Sequence, residues 1–249
     1  MSTASELTVS STPNAKVVVF GGSVALGWPD QICYGQVLAT RAGLPFAAYG
    51  GPHKTIRDTR MNVELLAAAD WVIIQHGVSE SIRRPNEEAS ASLPSRFRAK
   101  GGLDPAPWKS RNRARRFLQW LRNRVKWLLR IKCILVGQTF QLVSLDQFVA
   151  EFDEFLSAVI TKVPASRVVV VGPIRLPNRY YPFANVHLRG YVEAMERLAI
   201  AHHVSYVDIR DVLTSGDLLA DRLHPTSAGH TKIADRITPF IEVLAESHG

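Results

Sequence analysis

Cysteine is scarce in this 249-residue chain, which has only Cys33 and Cys133, far apart and in unlike contexts. Such a pair argues against a disulfide-stapled scaffold or a thiolate metal site and fits reduced thiols in a cytoplasmic protein. Long apolar runs are missing as well. None approaches the roughly 18–20 residues that a membrane-spanning helix needs. Residues 1–14 lack the charged and then apolar character of a secretory signal and are read as a loose tail. No internal repeat or low-complexity linker divides the remainder, so residues 15–249 are expected to form one domain. At 46% hydrophobic and 21% charged, the composition is that of a core-forming chain rather than a disordered one.

A further scarcity is local. Between Arg96 and Lys132 one acid, Asp104, stands against thirteen Lys and Arg, a balance of +12. The rest of the chain carries 17 bases and 21 acids, so the formal +8 of the whole belongs to that one segment. Three of the five tryptophans, Trp108, Trp120 and Trp127, lie there too.

Elsewhere, short apolar runs alternate with helical periodicity. Residues 16–20, 45–49, 70–75, 167–171 and 204–207 are read as strands, the first buried on both faces. Helices are read over 33–42, 55–69, 145–162, 186–201 and 227–245. Within 145–162 the apolar Phe148, Phe152, Phe155, Leu156 and Val159 recur at helical spacing, with Ser144 as N-cap. This alternation predicts an α/β fold, a three-layer α/β/α sandwich around a mostly parallel sheet of about five strands. Ligands of such sheets bind beyond the carboxyl ends of the strands.

Gly21-Gly22-Ser23 follows the first strand, where two glycines permit a sharp turn and leave a hydroxyl exposed at the strand end. A serine so placed can be a nucleophile whose own N–H faces a developing oxyanion, although a serine before a helix is also a common N-cap. Near the other end stands Asp221-Arg-Leu-His224-Pro225. A serine hydroxyl is inert without a base, and an imidazole needs a partner that fixes its tautomer and stabilises its cation. An Asp three residues ahead of a His supplies that partner locally, and the order Ser, Asp, His is one that acyl-transfer enzymes use.

Four blocks together resemble the SGNH/GDSL hydrolases: Gly21-Gly22-Ser23, Gly50-Gly51 after the second strand, Gly77-Val78-Ser79-Glu80 after the third, and Asp221 to Pro225 before the last helix. The last block, continuing through Thr226-Ser-Ala-Gly-His-Thr-Lys-Ile-Ala234, is the most typical. The resemblance implies a flavodoxin-like sheet and an esterase or acyltransferase that needs no metal or cofactor. It implies a triad of Ser23, His224 and Asp221, with the oxyanion held by N–H groups of Ser23 and the Gly50-Gly51 turn (or of His53, if the block is aligned on Thr55), and by Ser79. Two blocks depart from the family pattern. Gly22 stands where Gly-Asp-Ser has its Asp, and Ser79-Glu80 stands where Gly-x-Asn-Asp has Asn and Asp. Losing one oxyanion donor can cost about 2.7–4 kcal/mol of barrier, part of which a serine hydroxyl can recover. The acyl donor is expected to be a small ester or thioester, with hydrolysis, transfer to an acceptor, and a catalytically silent binding module all left open.

His53 and His76 follow strands and are candidate substrate contacts, or else wall residues. Arg83, with Arg84, could grip an anionic group, or else belong to a solvated loop. The basic stretch 111–132 reads as a helix in which Phe117, Leu121, Val125, Leu128 and Leu129 share one face while the arginines mostly lie opposite. Either the apolar face packs on the body, or the segment docks something anionic near the cleft edge: an acyl carrier protein, a CoA-linked donor or a membrane surface. Nucleic acid is the least expected partner, because no recognised reader motif accompanies the charge.

Overall fold

The computed structural model describes residues 17–27, 32–98, 102–105 and 112–242; the expected tail 1–14, Lys16, Trp108 and residues 243–245 lie outside them. In chain order, β1 (Val17–Gly22) runs into one helical turn, α1 (Ser23–Leu26), and α2 (Tyr34–Ala42) leads to β2 (Phe46–Gly51). A turn, α3 (Ile56–Thr59), and a 3-10 segment, Arg60–Ala68, precede β3 (Trp71–Gln75). Then come α4 (Val78–Ser81), β4 (Arg84–Pro85), α5 (Glu87–Ser92) and the long α6 (Arg113–Leu135). The chain continues through β5 (Thr139–Phe140), α7 (Leu145–Lys162), β6 (Val168–Val171), α8 (Ala184–Ala201), β7 (Ser205–Val207) and α9 (Ser227–Glu242).

Five strands form one parallel sheet in the order β2-β1-β3-β6-β7, flanked by helices on both faces. The strands alternate strictly between two cores. Val17, Val19, Ile73, Val169 and Val171 meet α2 and α9 on one face. Val18, Phe20, Ile74, Val168 and Val170 meet α7 on the other, and α8 contributes to both cores. This is why the strands read as unbroken apolar runs: a strand covered on both faces has no solvent side to mark. The chain order turns back between β1 and β3, so the crevice of the sheet lies at their carboxyl ends. There the register pairs Gly21 with Gly50 and Gly22 with Gly51. Gly50 has φ 148°, and a Cβ on it would lie 1.7 Å from the Gly21 carbonyl oxygen, so only glycine fits.

Two expectations are corrected. The helix read over 55–69 keeps only its first turn as α-helix, closed by a capping box of Thr55 and Asp58. The Asn62 side-chain amide then donates to the Thr59 carbonyl at 3.2 Å, occupying an acceptor that a regular helix would use, and the chain tightens into 3-10 geometry. The second correction concerns α6, which does not pack its apolar face on the body. Its buried residues are Lys126, Arg130 and Cys133, two of them charged. Arg130 donates to Asp104 at 2.6 Å and to the Tyr180 carbonyl at 3.0 Å, and its guanidinium lies 4.9 Å from the Tyr181 ring centroid. Lys126 donates to the Asp104 carbonyl, and burial, with Arg122 nearby, pushes its ammonium down to about 8. Of the five apolar residues read as sharing one face, only Leu129 is packed, against Leu93, Phe97 and Leu103.

One buried titratable group makes the fold acid-sensitive. His230 on α9 lies against the Tyr34 ring with almost no exposure, and neither ring nitrogen has a hydrogen-bond partner among the described residues. Desolvation, and then the charge of nearby His224, push its pKa from 6.5 down to about 4. Between those values the unfolded chain binds a proton that the folded chain refuses. Stability is therefore complete above the unfolded value and is lost as pH falls toward the folded one. Going from pH 7 to pH 4.5 should cost about 2.5 kcal/mol through this residue alone. Urea titrations at the two pH values should show that penalty reduced by most of this amount in His230→Phe.

Candidate active site

The last helix is entered through a loop that holds its shape by polar anchors. Asp217 accepts from the Thr214 N–H and hydroxyl and from Lys232, and these bonds hold its pKa down at about 2. Its carbonyl accepts from the Thr226 N–H at 2.7 Å, and Leu219 N–H donates to the His224 carbonyl at 2.7 Å. Between these points Arg222 takes a left-handed φ of 59°, which reverses the chain after Asp221. Asp221 is almost fully buried. Its Oδ1 accepts from the N–H groups of Leu223 and His224 at 2.9 and 3.1 Å, leaving Oδ2 for the His224 ring.

Oδ2 lies 2.6 Å from His224 Nδ1, and His224 Nε2 lies 2.8 Å from Ser23 Oγ. With Nδ1–H donated to the carboxylate, Nε2 is left as an acceptor facing the hydroxyl. Residues 201 positions apart in sequence are thus joined in one line of hydrogen bonds. Ser23 opens α1 immediately after the β1 glycines and remains partly accessible. The three residues expected to form the triad are those the structure brings together.

Ser23, Gly22 and Ser79 line one recess, and a Cβ on Gly22 would lie 3.3 Å from Ser79 Oγ. The Ser79 hydroxyl therefore crowds the place where the side chain of the family's Asp would leave the backbone. Gly51 ends β2 level with Gly22, with φ 151°. The neighbour of Ser79, Glu80, is fully buried and plays a role that sequence reading did not assign. Its Oε2 accepts from the Gly77 N–H at 2.9 Å, and its Oε1 accepts from the Ile56 N–H at 3.0 Å and faces His76 Nδ1 at 3.1 Å.

The expected substrate contacts fare differently. His76 is buried with both ring nitrogens engaged, Nδ1 on Glu80 and Nε2 against Thr59 Oγ1 at 2.9 Å, so its ring has no nitrogen left for a substrate. It is a scaffold residue of the third block. Arg83 is half-buried and donates to Thr139 Oγ1 at 3.4 Å, on the β4–β5 ribbon. Its neighbour Arg84 is the one tied to the third block. It donates to the Ser79 carbonyl at 2.9 Å and to His53 Nδ1 at 3.3 Å. His53 is held at a left-handed φ of 60° and is partly accessible. A larger cleft of about 730 Å³ opens between α6 and the loop carrying Ala220 and Arg222, on either side of Asp221 in sequence. Among the described residues no three His, Cys, Asp or Glu side chains cluster as metal ligands would, and Cys33 and Cys133 are buried free thiols.

Comparison with known proteins agrees with this architecture. Solved structures of similar fold include the lipase/acylhydrolase from Enterococcus faecalis, with 17% identity and a TM-score of 0.54 over 91% of this chain and 95% of that one. An alpha/beta hydrolase enzyme from the metagenome of Lake Arreo has 16% identity and a TM-score of 0.57, over 92% and 95%. An acetylxylan esterase from Geobacillus stearothermophilus has 15% identity and a TM-score of 0.54, over 92% and 96%. No curated protein matches the chain in sequence. The model of the GDSL-like lipase/acylhydrolase family matches residues 19–232, from within β1 into α9 and across the whole candidate site. The chain belongs to the GDSL-like lipase/acylhydrolase family.

Proposed function

We propose that this protein hydrolyses a small ester or thioester through an acyl-Ser23 intermediate. The observation that carries the reading is the continuous hydrogen-bonded line from Asp221 through His224 to Ser23 Oγ, with distances of 2.6 and 2.8 Å. In the first half-reaction Ser23 Oγ attacks the acyl carbon while His224 Nε2 takes the hydroxyl proton. The carbonyl oxygen becomes an oxyanion facing the N–H of Ser23, the Gly51 end of β2 and the Ser79 hydroxyl. Collapse breaks the bond to the leaving alcohol or thiol, which takes the proton back from His224. Water then attacks the acyl-serine with His224 again as base, releasing the acid and restoring Ser23. Asp221 fixes the imidazole tautomer and stabilises the transient imidazolium in both half-reactions.

Transfer to an acceptor hydroxyl or amine differs only in which nucleophile enters the second half-reaction. A binding module would have no use for a hydroxyl aligned on an imidazole that a buried carboxylate backs. A fluorophosphonate probe at neutral pH should label the wild type at Ser23 and leave Ser23→Ala unlabelled, as read by intact-protein mass spectrometry. A wild type that resists the probe overturns the enzymatic reading. In steady-state kinetics on a short-chain nitrophenyl ester, Ser79→Ala should lower kcat by about tenfold or more with little change in KM. A donor to the oxyanion acts in the transition state rather than in ground-state binding. An unchanged kcat would remove Ser79 from the oxyanion site.

A further inference from the structure

In α6 the usual arrangement of an amphipathic surface helix is inverted. Polar side chains hold it to the body, through Arg130 and Lys126 on Asp104 and through the Trp127 Nε1–H on the Asn178 carbonyl. The apolar stripe consequently points away. Phe117, Leu121, Leu128 and Leu135 recur at helical spacing, and they are 61%, 46%, 58% and 74% exposed. Leu118 and Val125 widen the stripe, and Trp120 stacks on Phe117 at one edge with a centroid distance of 5.8 Å. At 23 residues the helix is about 34 Å long, so the stripe is a long exposed ridge rather than a scatter of single residues.

Charge identifies what this ridge suits. The helix has eight Lys and Arg and no acid. Arg115 and Arg122 flank the stripe on one side and Arg116 on the other, Arg113 and Arg124 lie near the edge that carries Trp120, and Lys132 falls within the stripe. The Arg124 guanidinium rests 5.6 Å from the Trp120 ring centroid, a cation–π contact that keeps the charge beside the apolar stripe. On the same flank as Arg116, the 730 Å³ cleft adds Arg175, Arg179 and Arg222, while its Arg210 is paired with Asp208, so the positive surface continues past the helix. A second copy of the chain would bring cation against cation. An acidic protein would answer the charge but has no need of so long an apolar ridge. The helix cannot cross a bilayer, since no helix among the described residues is long and apolar enough to do so. A flat surface that is anionic at the head-group level and apolar just beneath answers both features.

We propose that α6 docks this protein on anionic lipid membranes. It lies in the plane of the interface with Phe117, Leu121 and Leu128 immersed, and its arginines sit at the lipid phosphates. The binding is separate from the acyl chemistry of Ser23 and can be measured without turnover. The full-length protein is mixed with large unilamellar vesicles of phosphatidylcholine, with or without about 30 mol % phosphatidylglycerol, and sedimented at several salt concentrations. Partitioning onto the anionic vesicles should be at least about tenfold stronger than onto the neutral ones and should fall as salt rises. The triple variant Phe117→Ser, Leu121→Ser, Leu128→Ser removes exposed side chains only. It should melt like the wild type yet lose about tenfold or more of that partitioning. Failure of the wild type to sediment with anionic vesicles overturns the proposal. So does a triple variant that binds as well as the wild type, which would mean adsorption by charge alone. Two other outcomes reassign the ridge: a dimer in light scattering that the triple variant disperses, or retention on an acidic carrier protein with none on vesicles.

Discussion

A carboxylate removed from water must be given hydrogen bonds or lose its charge, and the Asp221 carboxylate is given three from its own loop. Two come from the backbone N–H groups of Leu223 and His224 and one from the His224 ring. This shapes the segment and orients the imidazole in a single step. The left-handed Arg222 exists because the chain must reverse for its N–H groups to reach Oδ1. Once Nδ1 is committed to Oδ2, the opposite ring nitrogen has one direction to face, and Ser23 is met there at 2.8 Å. The sheet completes the meeting by ending β1 in glycine at its switch point, so that residue 23 turns out over the carboxyl edge.

Much of this was legible from residues because the deciding interactions are local or periodic. The strands announced themselves as apolar runs between polar stretches, since both faces of a parallel sheet are covered. Ser144 and Gln147 reciprocate across the first turn of α7, a signature readable from spacing alone. Asp221 and His224 stand three residues apart, so their pairing needed no tertiary information. Side chains whose environment is built by distant segments were not legible. His76 follows a strand just as a cleft residue would, and only the arrival of Thr59 and Glu80 on either side of its ring turns it into buried scaffold. The break in the helix after Thr59 depends on one side-chain amide choosing a backbone acceptor, which no periodicity records.

The orientation of α6 is the clearest case of a feature that periodicity leaves undetermined. Helical spacing separates an apolar face from a polar one but carries no sign telling which faces the body. Here the sign is set by Asp104, the one acid in the basic segment, together with the Tyr180 carbonyl and the Tyr181 ring. A guanidinium with a carboxylate, a carbonyl and a ring to engage can be buried without large loss, whereas the same group with no partner could not. Asp104 thus selects the polar side of α6 as the inner side, and the apolar side is left outward as a consequence.

The third block shows how a divergent sequence can keep a site's geometry while changing the groups that hold it. In Gly77-Val78-Ser79-Glu80 the glutamate reaches back to cap the Gly77 N–H and across to the Ile56 N–H at the start of α3. It therefore clamps the carboxyl end of β3 to the segment following β2, the two places from which the proposed oxyanion donors come. Arg84 adds a second clamp, bonding the Ser79 carbonyl on one side and His53 on the other. Ser79 is held by its backbone between these two, so its short side chain has little positional freedom beyond rotation of the hydroxyl. An amide at that position would arrive with its donor fixed by its own plane. A hydroxyl needs the surrounding backbone fixed instead, and Glu80 and Arg84 provide that.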